Sequence, residues 1–125
     1  MPSDRLTRCF DDMLTAADLI KKWIGQAGGV DAAIYHDLLS RSAIERQLLV
    51  ISEAAIRLHK TDPAAGPTLA PDVDWPGIRG IGNFIRHKYD DLDASVLADV
   101  LSNRLDPLRI AVDSALEQLG TKSSG

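Results

Sequence analysis

The apolar residues of this 125-residue chain recur at steps of three and four over long segments, the spacing that forms one face of an α-helix. No segment shows the alternation of apolar and polar residues that is typical of a half-buried strand. Segments rich in Gly and Pro separate the periodic stretches. The pattern therefore predicts an all-α protein, an antiparallel, up-and-down bundle of four to five helices joined by mostly short connections.

Helix start and stop signals give the expected boundaries. The first helix is expected from Ser3 or Asp4 to Gln26, where Gly28 and Gly29 stop it, and a short helical turn is expected over residues 31–35. Further helices are expected at 37–60 and 74–89, from an N-cap at Asp93 to Leu101, and from Asp106-Pro107 as cap and first residue. Residues 61–74 are expected to form a loop. The apolar stripes consist of Leu6, Cys9, Phe10, Met13, Ala17, Ile20 and Ile24; Ile44, Leu48, Ile51, Ala55 and Leu58; Ile78, Ile81 and Ile85; Val96, Leu97, Val100 and Leu101; and Leu108, Val112, Ala115 and Leu119.

Length and composition suit one domain, which we place at residues 1–120, with residues 121–125 as a flexible polar tail. The net charge of -4 argues against general binding to duplex DNA. A single cysteine, Cys9, excludes an intrachain disulfide, and its place on an apolar stripe indicates a buried, unreactive thiol. No run resembles a signal peptide or a membrane span, so we expect a cytoplasmic protein.

Cationic and imidazole groups gather on one face of the segment 79–90. At 100° per residue, that face spans a sector about 100° wide, opposite the isoleucine stripe. It contains Arg79, Asn83, Arg86, His87 and Asp90.

These residue types suit the cleavage of RNA. A histidine can move a proton near neutral pH, and an arginine can bind a phosphate through two parallel hydrogen bonds. Because the RNA 2′-OH is itself a nucleophile, no metal or cofactor is required. Asn83 could orient His87 or contact the phosphate, and Tyr89 could stack on a base. Spacing alone favours the simpler interpretation, in which the charged side chains only solvate the helix and His87 and Tyr89 have structural roles.

The run Trp75-Pro76-Gly77-Ile78-Arg79-Gly80-Ile81-Gly82-Asn83-Phe84-Ile85-Arg86-His87-Lys88-Tyr89, followed by 90–93, resembles the HepT-like branch of the HEPN family. That branch shows Trp, Ile, Arg-Asn, His-x-Tyr and Asp in this order. The segment Ile51-Ser52-Glu53-Ala54 resembles its Ile-Gly-Glu-Ala, and Leu105-Asp106-Pro107-Leu108 resembles its Leu-Pro-x-Leu. Together these similarities cover roughly residues 13–119.

The resemblance implies a helical bundle that forms a homodimer, with the active groove along the dimer interface. It implies a ribonuclease toxin of a toxin–antitoxin pair, which cuts RNA, with tRNA as a candidate target, without a metal. The partner would be a minimal nucleotidyltransferase of the MntA type, which silences the toxin by transferring AMP to the tyrosine of His-x-Tyr. By position, these motif residues are Asn83, His87 and Tyr89.

One position departs from the pattern. Gly82 stands where the family has the arginine that precedes the asparagine. Arg79 and Arg86 are the nearest arginines, and either is a candidate phosphate clamp.

Three hypotheses follow, in order of preference. The first is a toxin-type endoribonuclease, the second is a module that binds RNA or the nucleotidyltransferase without cleavage, and the third is an adaptor dimer. Glu53 is expected to be a semi-buried acid between helices. The histidines His36, His59 and His87 show no metal-ligand spacing.

Overall fold

The computed structural model describes the backbone at residues 2–86 and 92–124, and the side chains at 4–86 and 94–120. Within these ranges the chain has seven helices and no strand, which confirms the predicted all-α class. The helices are α1 Pro2–Ala27, α2 Val30–Tyr35, α3 Leu38–Thr61, α4 Ala65–Leu69, α5 Trp75–Arg86, α6 Leu92–Asn103 and α7 Leu105–Ser124. Among these residues, no helix has the length and apolar character needed to cross a membrane.

The ends of the long helices follow from local chemistry. Gly28 and Gly29 adopt φ values of 101° and 125°, in the region that favours glycine, and their N–H groups donate to the carbonyl of Ile24 at the end of α1. At the start of α3, the carboxylate of Asp37 accepts hydrogen bonds from the N–H and the hydroxyl of Ser40. These hydrogen bonds hold the pKa of Asp37 below its ordinary value.

The long helices pack in antiparallel pairs. Arg109 of α7 pairs with Asp18 of α1, whereas Asp106, earlier in α7, pairs with Lys21, later in α1, so the two chain directions oppose. Helix α3 packs against α1 and also against α5. The fully buried centre contains Phe10, Met13, Ile20, Ile44, Ile51, Leu58, Leu97 and Val112. The predicted stripes of α3 and α7 are confirmed in full.

Trp75 fixes the first turn of α5 in this core. Its indole N–H donates to the carbonyl of Ala70 at 3.0 Å, and its ring packs edge-on against Phe10. Gly66 lies beneath the same ring, so closely that a side chain there would overlap it. The entry of α5 is thus fixed by α1 and by the segment that precedes it.

Some boundaries differ from the prediction. The segment 61–74 is not entirely a loop, because α4 forms a single turn whose Ala65 and Leu69 are buried. Helix α6 begins at Leu92, before Asp93. Helix α7 begins at Leu105, before Asp106 and Pro107, because the buried Leu105 joins the core and Leu108 N–H already bonds to the carbonyl of residue 104. Helix α7 also continues to Ser124, beyond the expected end at residue 120; the flexibility of 121–125 stays a prediction.

The apolar stripes predicted for α5 and α6 are confirmed in part. On α5, Ile78 is buried together with Trp75 and Gly82, whereas Ile81 and Ile85 are half-buried against the core. On α6, Leu97 and Leu101 are buried together with Ala94; Val96 is 45% exposed and Val100 is half-buried. Residues of α5 and α6 line a groove of about 420 Å³ with Leu48 of α3 on its wall, and Ile81, Val96 and Val100 face it.

Candidate functional site

The structure places three of the five predicted site residues. Arg79, Asn83 and Arg86 lie on α5, where Asn83 and Arg86 are exposed and Arg79 is half-buried. His87 and Tyr89 lie outside the described residues, as does Asp90. The outward placement of Asn83 and Arg86, immediately before His87 in the sequence, agrees with the predicted polar face.

A buried serine joins this helix to its neighbour. Ser52 of α3 is 1% exposed, and its hydroxyl donates to the carbonyl of Arg79 at 2.8 Å and accepts from the N–H of Gly82 at 3.1 Å. The hydroxyl is therefore satisfied by two backbone groups one turn apart on α5. This contact sets both the rotation and the distance of α5 relative to α3.

Gly82 is buried where α5 contacts Ser52 of α3. A Cβ atom built at this position would lie 2.9 Å from Ser52 Oγ and 3.3 Å from Nη1 of Arg86. The first distance is too short for a contact between a carbon and an oxygen that are not bonded, so glycine is required for the observed packing. We call the space beside Gly82, bounded by Ser52 and the guanidinium of Arg86, the Gly82 notch.

The two candidate arginines occupy different places. Arg79 lines a cleft with His59 and Asp62 at the C-terminal end of α3. Arg86 instead extends back over Gly82, in the direction that long side chains adopt on helices. The two arginines are seven positions apart, which is about 10 Å along the helix axis. The predicted cationic face is therefore divided, and only Arg86 lies at the end of α5 that leads into His87.

A family model described as Ribonuclease HepT-like matches residues 13–115, which is most of the chain. The chain belongs to the HepT-like ribonuclease family. The match confirms the resemblance drawn from the sequence motif and includes α3, α5 and most of α7. No curated protein and no solved structure matches the chain.

In this HepT-like chain, Gly82, where the resemblance in the sequence leads us to expect an arginine, is the residue at the bottom of the notch. The identity of residue 82 is thus tied to the packing of α5 on α3. Sequence analysis identified Gly82 but missed Ser52. The available signal was the run of small residues Ser52, Ala54 and Ala55 on α3, together with the glycines of α5, which indicates helices in close contact.

Three other predictions concern residues around the site. Glu53 is exposed, so the prediction of a semi-buried acid was wrong; the neighbouring Ser52 is the polar residue between the helices. Cys9 is 4% exposed as predicted, and burial raises the pKa of its thiol although Arg57 opposes the shift. Over residues 4–86 and 94–120, no group of His, Cys, Asp and Glu side chains is placed to hold a metal ion. That observation does not extend to His87.

Proposed function

We propose that this HepT-like protein is a toxin-type endoribonuclease of the cytoplasm that cleaves RNA, with tRNA as a candidate substrate, without a metal or cofactor. The supporting observation is its membership of a ribonuclease family together with an exposed amide and guanidinium, on Asn83 and Arg86, that lead directly into His87. The same geometry agrees with a site made for a negatively charged, extended ligand.

The chemistry follows from these groups. The 2′-oxygen of a ribose attacks the adjacent phosphorus while the bond to the 5′-oxygen of the next nucleotide breaks, leaving a 2′,3′-cyclic phosphate and a free 5′-hydroxyl. His87 acts as general acid and base for these oxygens. An arginine, Arg79 or Arg86, stabilises the charge that grows on the phosphoryl oxygens, and Asn83 orients the imidazole or the phosphate.

Cleavage in the presence of EDTA tests this proposal. Purified protein is incubated with total RNA and with tRNA, beside His87→Ala and, as a matched control, His36→Ala, which removes an exposed histidine at the end of α2. We expect cleavage by the wild type and His36→Ala and a loss of about 100-fold or more in His87→Ala. If His87→Ala cleaves as fast as the wild type, His87 is not the catalyst.

We further propose a homodimer in which two copies of the polar face of α5 border one RNA groove. Light scattering during gel filtration measures the mass in solution. A monomer at assay concentration that still cleaves RNA would contradict the shared groove.

The proposed partner is an MntA-type minimal nucleotidyltransferase, with the Tyr89 hydroxyl as AMP acceptor. The oxygen attacks the α-phosphorus of ATP, and pyrophosphate leaves. The chain has two tyrosines, so Tyr35→Phe, at an exposed position on α2, is the control for Tyr89→Phe. After co-expression with such an enzyme and ATP, intact mass should show one added AMP in the wild type and Tyr35→Phe, and none in Tyr89→Phe. Modification of Tyr89→Phe would place the acceptor elsewhere.

A second candidate function is favoured by Gly82, which replaces the motif arginine. In it the protein binds RNA or the nucleotidyltransferase without cleaving. The cleavage assay separates the two, because a non-catalytic module would bind RNA and leave it intact over long incubation, with no difference between the wild type and His87→Ala.

A further inference from the structure

We infer that Arg86 is the phosphate-binding arginine of this chain and that the Gly82 notch positions its guanidinium. The inference rests on the proposed function and deepens it, because it chooses between the two arginines and assigns Gly82 and Ser52 a positioning role. The ligand is a phosphodiester of single-stranded RNA.

The guanidinium of Arg86 occupies the space that a side chain at residue 82 would fill. Its Nη1 lies 3.3 Å from the position of a Cβ atom on Gly82, one turn before its own Cα. With glycine at 82, the guanidinium can lie against the helix backbone. A charged group is therefore present at the level of residue 82 although residue 82 has no side chain.

Ser52 forms the opposite wall of the notch. Because its hydroxyl is bonded to backbone groups of both Arg79 and Gly82, it cannot rotate away without breaking hydrogen bonds inside the helix interface. The notch thus has a fixed polar atom on one side and the solvent-exposed side chain of Arg86 on the other. A long side chain that loses less rotamer freedom on binding a ligand binds it more tightly.

The charge of Arg86 is also available. Among the described residues, Arg41, Arg57, Arg104 and Arg109 pair with carboxylates, and no carboxylate lies within ion-pair distance of Arg86. Arg79 is half-buried in the cleft near His59 and Asp62, whereas Arg86 is exposed and stands directly before His87 in the sequence. Arg86 is therefore the better placed of the two arginines to share a phosphate with His87.

The first test measures binding without cleavage. A 2′-O-methyl RNA oligonucleotide has no free 2′-hydroxyl and cannot be cut, and its affinity is measured by fluorescence anisotropy at several salt concentrations. We expect Arg86→Ala to weaken binding by about 10- to 100-fold, the usual effect of losing a hydrogen bond to a charged group. The slope of log K against log salt should fall by about 0.7, the value for one phosphate contact on a single strand. Arg79→Ala tests the competing assignment and should change the affinity less than about threefold if Arg86 is the phosphate-binding arginine.

The second test relocates the arginine. In the triple variant Ser52→Gly, Gly82→Arg, Arg86→Ala, the arginine stands at residue 82 and the serine that would collide with it is removed. Circular dichroism verifies that the variant is folded. We expect RNA affinity to stay as weak as in Arg86→Ala, because an arginine at residue 82 extends its guanidinium about one turn further towards the N-terminus than Arg86 does. If the triple variant does not fold, Arg86→Lys replaces it, and the loss of the bidentate fork should weaken binding by about 10-fold despite the retained charge.

The outcomes separate this inference from the proposed function. Equal losses in Arg79→Ala and Arg86→Ala, or no loss in Arg86→Ala, would overturn the assignment of Arg86. A folded triple variant that recovers wild-type affinity would overturn the role of the notch. If the wild type binds the 2′-O-methyl RNA through Arg86 but never cleaves normal RNA, the assignment holds and the endoribonuclease proposal fails.

Discussion

Replacing Gly82 with alanine tests the packing of α5 on α3 directly. In an open helix interior, Gly→Ala stabilises by about 1 kcal/mol because alanine loses less conformational entropy. Here the added methyl group would lie 2.9 Å from Ser52 Oγ. Either the hydroxyl moves, at a cost of about 1 kcal/mol for each of its two hydrogen bonds, or the helices separate, at about 1–3 kcal/mol. The less costly of these changes exceeds the gain by about 0–1 kcal/mol, so we expect Gly82→Ala to lower the free energy of unfolding by up to about 1 kcal/mol.

Gly80 gives a matched control on the same helix. No atom lies within 4 Å of a Cβ built at Gly80, so Gly80→Ala should stabilise the protein by about 0.5–1 kcal/mol. Urea unfolding followed by circular dichroism at constant pH measures both changes, and equal m-values show that the denatured state is unaffected. For a domain of this size, the two variants should differ in melting temperature by about 2–8 °C.

Removing the serine hydroxyl completes the cycle. In Ser52→Ala plus Gly82→Ala the collision is absent, and the pair should be more stable than the sum of the single changes by about 1 kcal/mol or more. Stabilisation of the protein by Gly82→Ala alone, equal to that by Gly80→Ala, would refute the claim that glycine at residue 82 is required for the contact between α3 and α5.

Three other predictions test the fold. Asp37→Ala should lower the melting temperature at pH 7, because the carboxylate caps α3 through Ser40. Since folding lowers the pKa of Asp37, its stabilisation is complete above about pH 4 and is lost as the pH falls through the lower folded value, so the difference in melting temperature between wild type and variant should shrink as the pH falls below about 4. In urea titrations, Leu97→Ala should destabilise the protein by about 2–5 kcal/mol, because Leu97 is buried. Val96→Ala, at an exposed neighbouring position, should destabilise it by less than about 1 kcal/mol, and equal effects would contradict the described rotation of α6. Cys9 should react with a thiol reagent at least 100-fold more slowly in the native protein than in urea, because it is buried and its pKa is raised; comparable rates would show that α1 opens readily.

The helices were predictable where a stripe is narrow and a cap is strong. Helix α3 has both, with Asp37 before it and one row of apolar residues along it, and its boundaries and buried residues agree with the sequence prediction. In such a helix the 3.6-residue period leaves one choice of buried face. Asp37 also marks the start of α3 because its carboxylate satisfies an N–H group that the helix cannot.

The buried faces of α5 and α6 could not be predicted fully from the sequence. Helix α6 has apolar residues around more than half of its circumference, so several rotations would bury a similar apolar area. Helix α5 has one apolar face, and the open question is which part of that face meets α3. Which rotation occurs is decided by the partner helix: on α5 the hydroxyl of Ser52 fixes Gly82 at the interface and turns Ile81 towards the groove. Contacts of this kind join residues 30 positions apart and are not written in local periodicity.

The division of the cationic face has the same origin. A helical projection places Arg79 and Arg86 only 20° apart, because it records angle and ignores distance along the axis. In the structure the two arginines stand about 10 Å apart along the axis, because they are seven positions apart in the sequence. Both side chains extend towards the N-terminus of α5, so Arg79 lies in the cleft with His59 while Arg86 lies over Gly82. Angle alone could identify the exposed face of α5 but not the arginine that serves its C-terminal end.

The departure at residue 82 is best understood together with residue 52. By the resemblance in the sequence, the family has glycine on the α3 side and arginine on the α5 side, whereas this chain has Ser52 and Gly82. Since a side chain at 82 would collide with Ser52, the two positions are not independent: one of them must be small for α5 to lie this close to α3. Restoring arginine at residue 82 alone would therefore disturb the helix contact before it supplied a charge. If Arg86 binds the phosphate as we infer, the glycine marks a rearranged interface, with Arg86 returning over it, rather than the simple loss of a functional side chain.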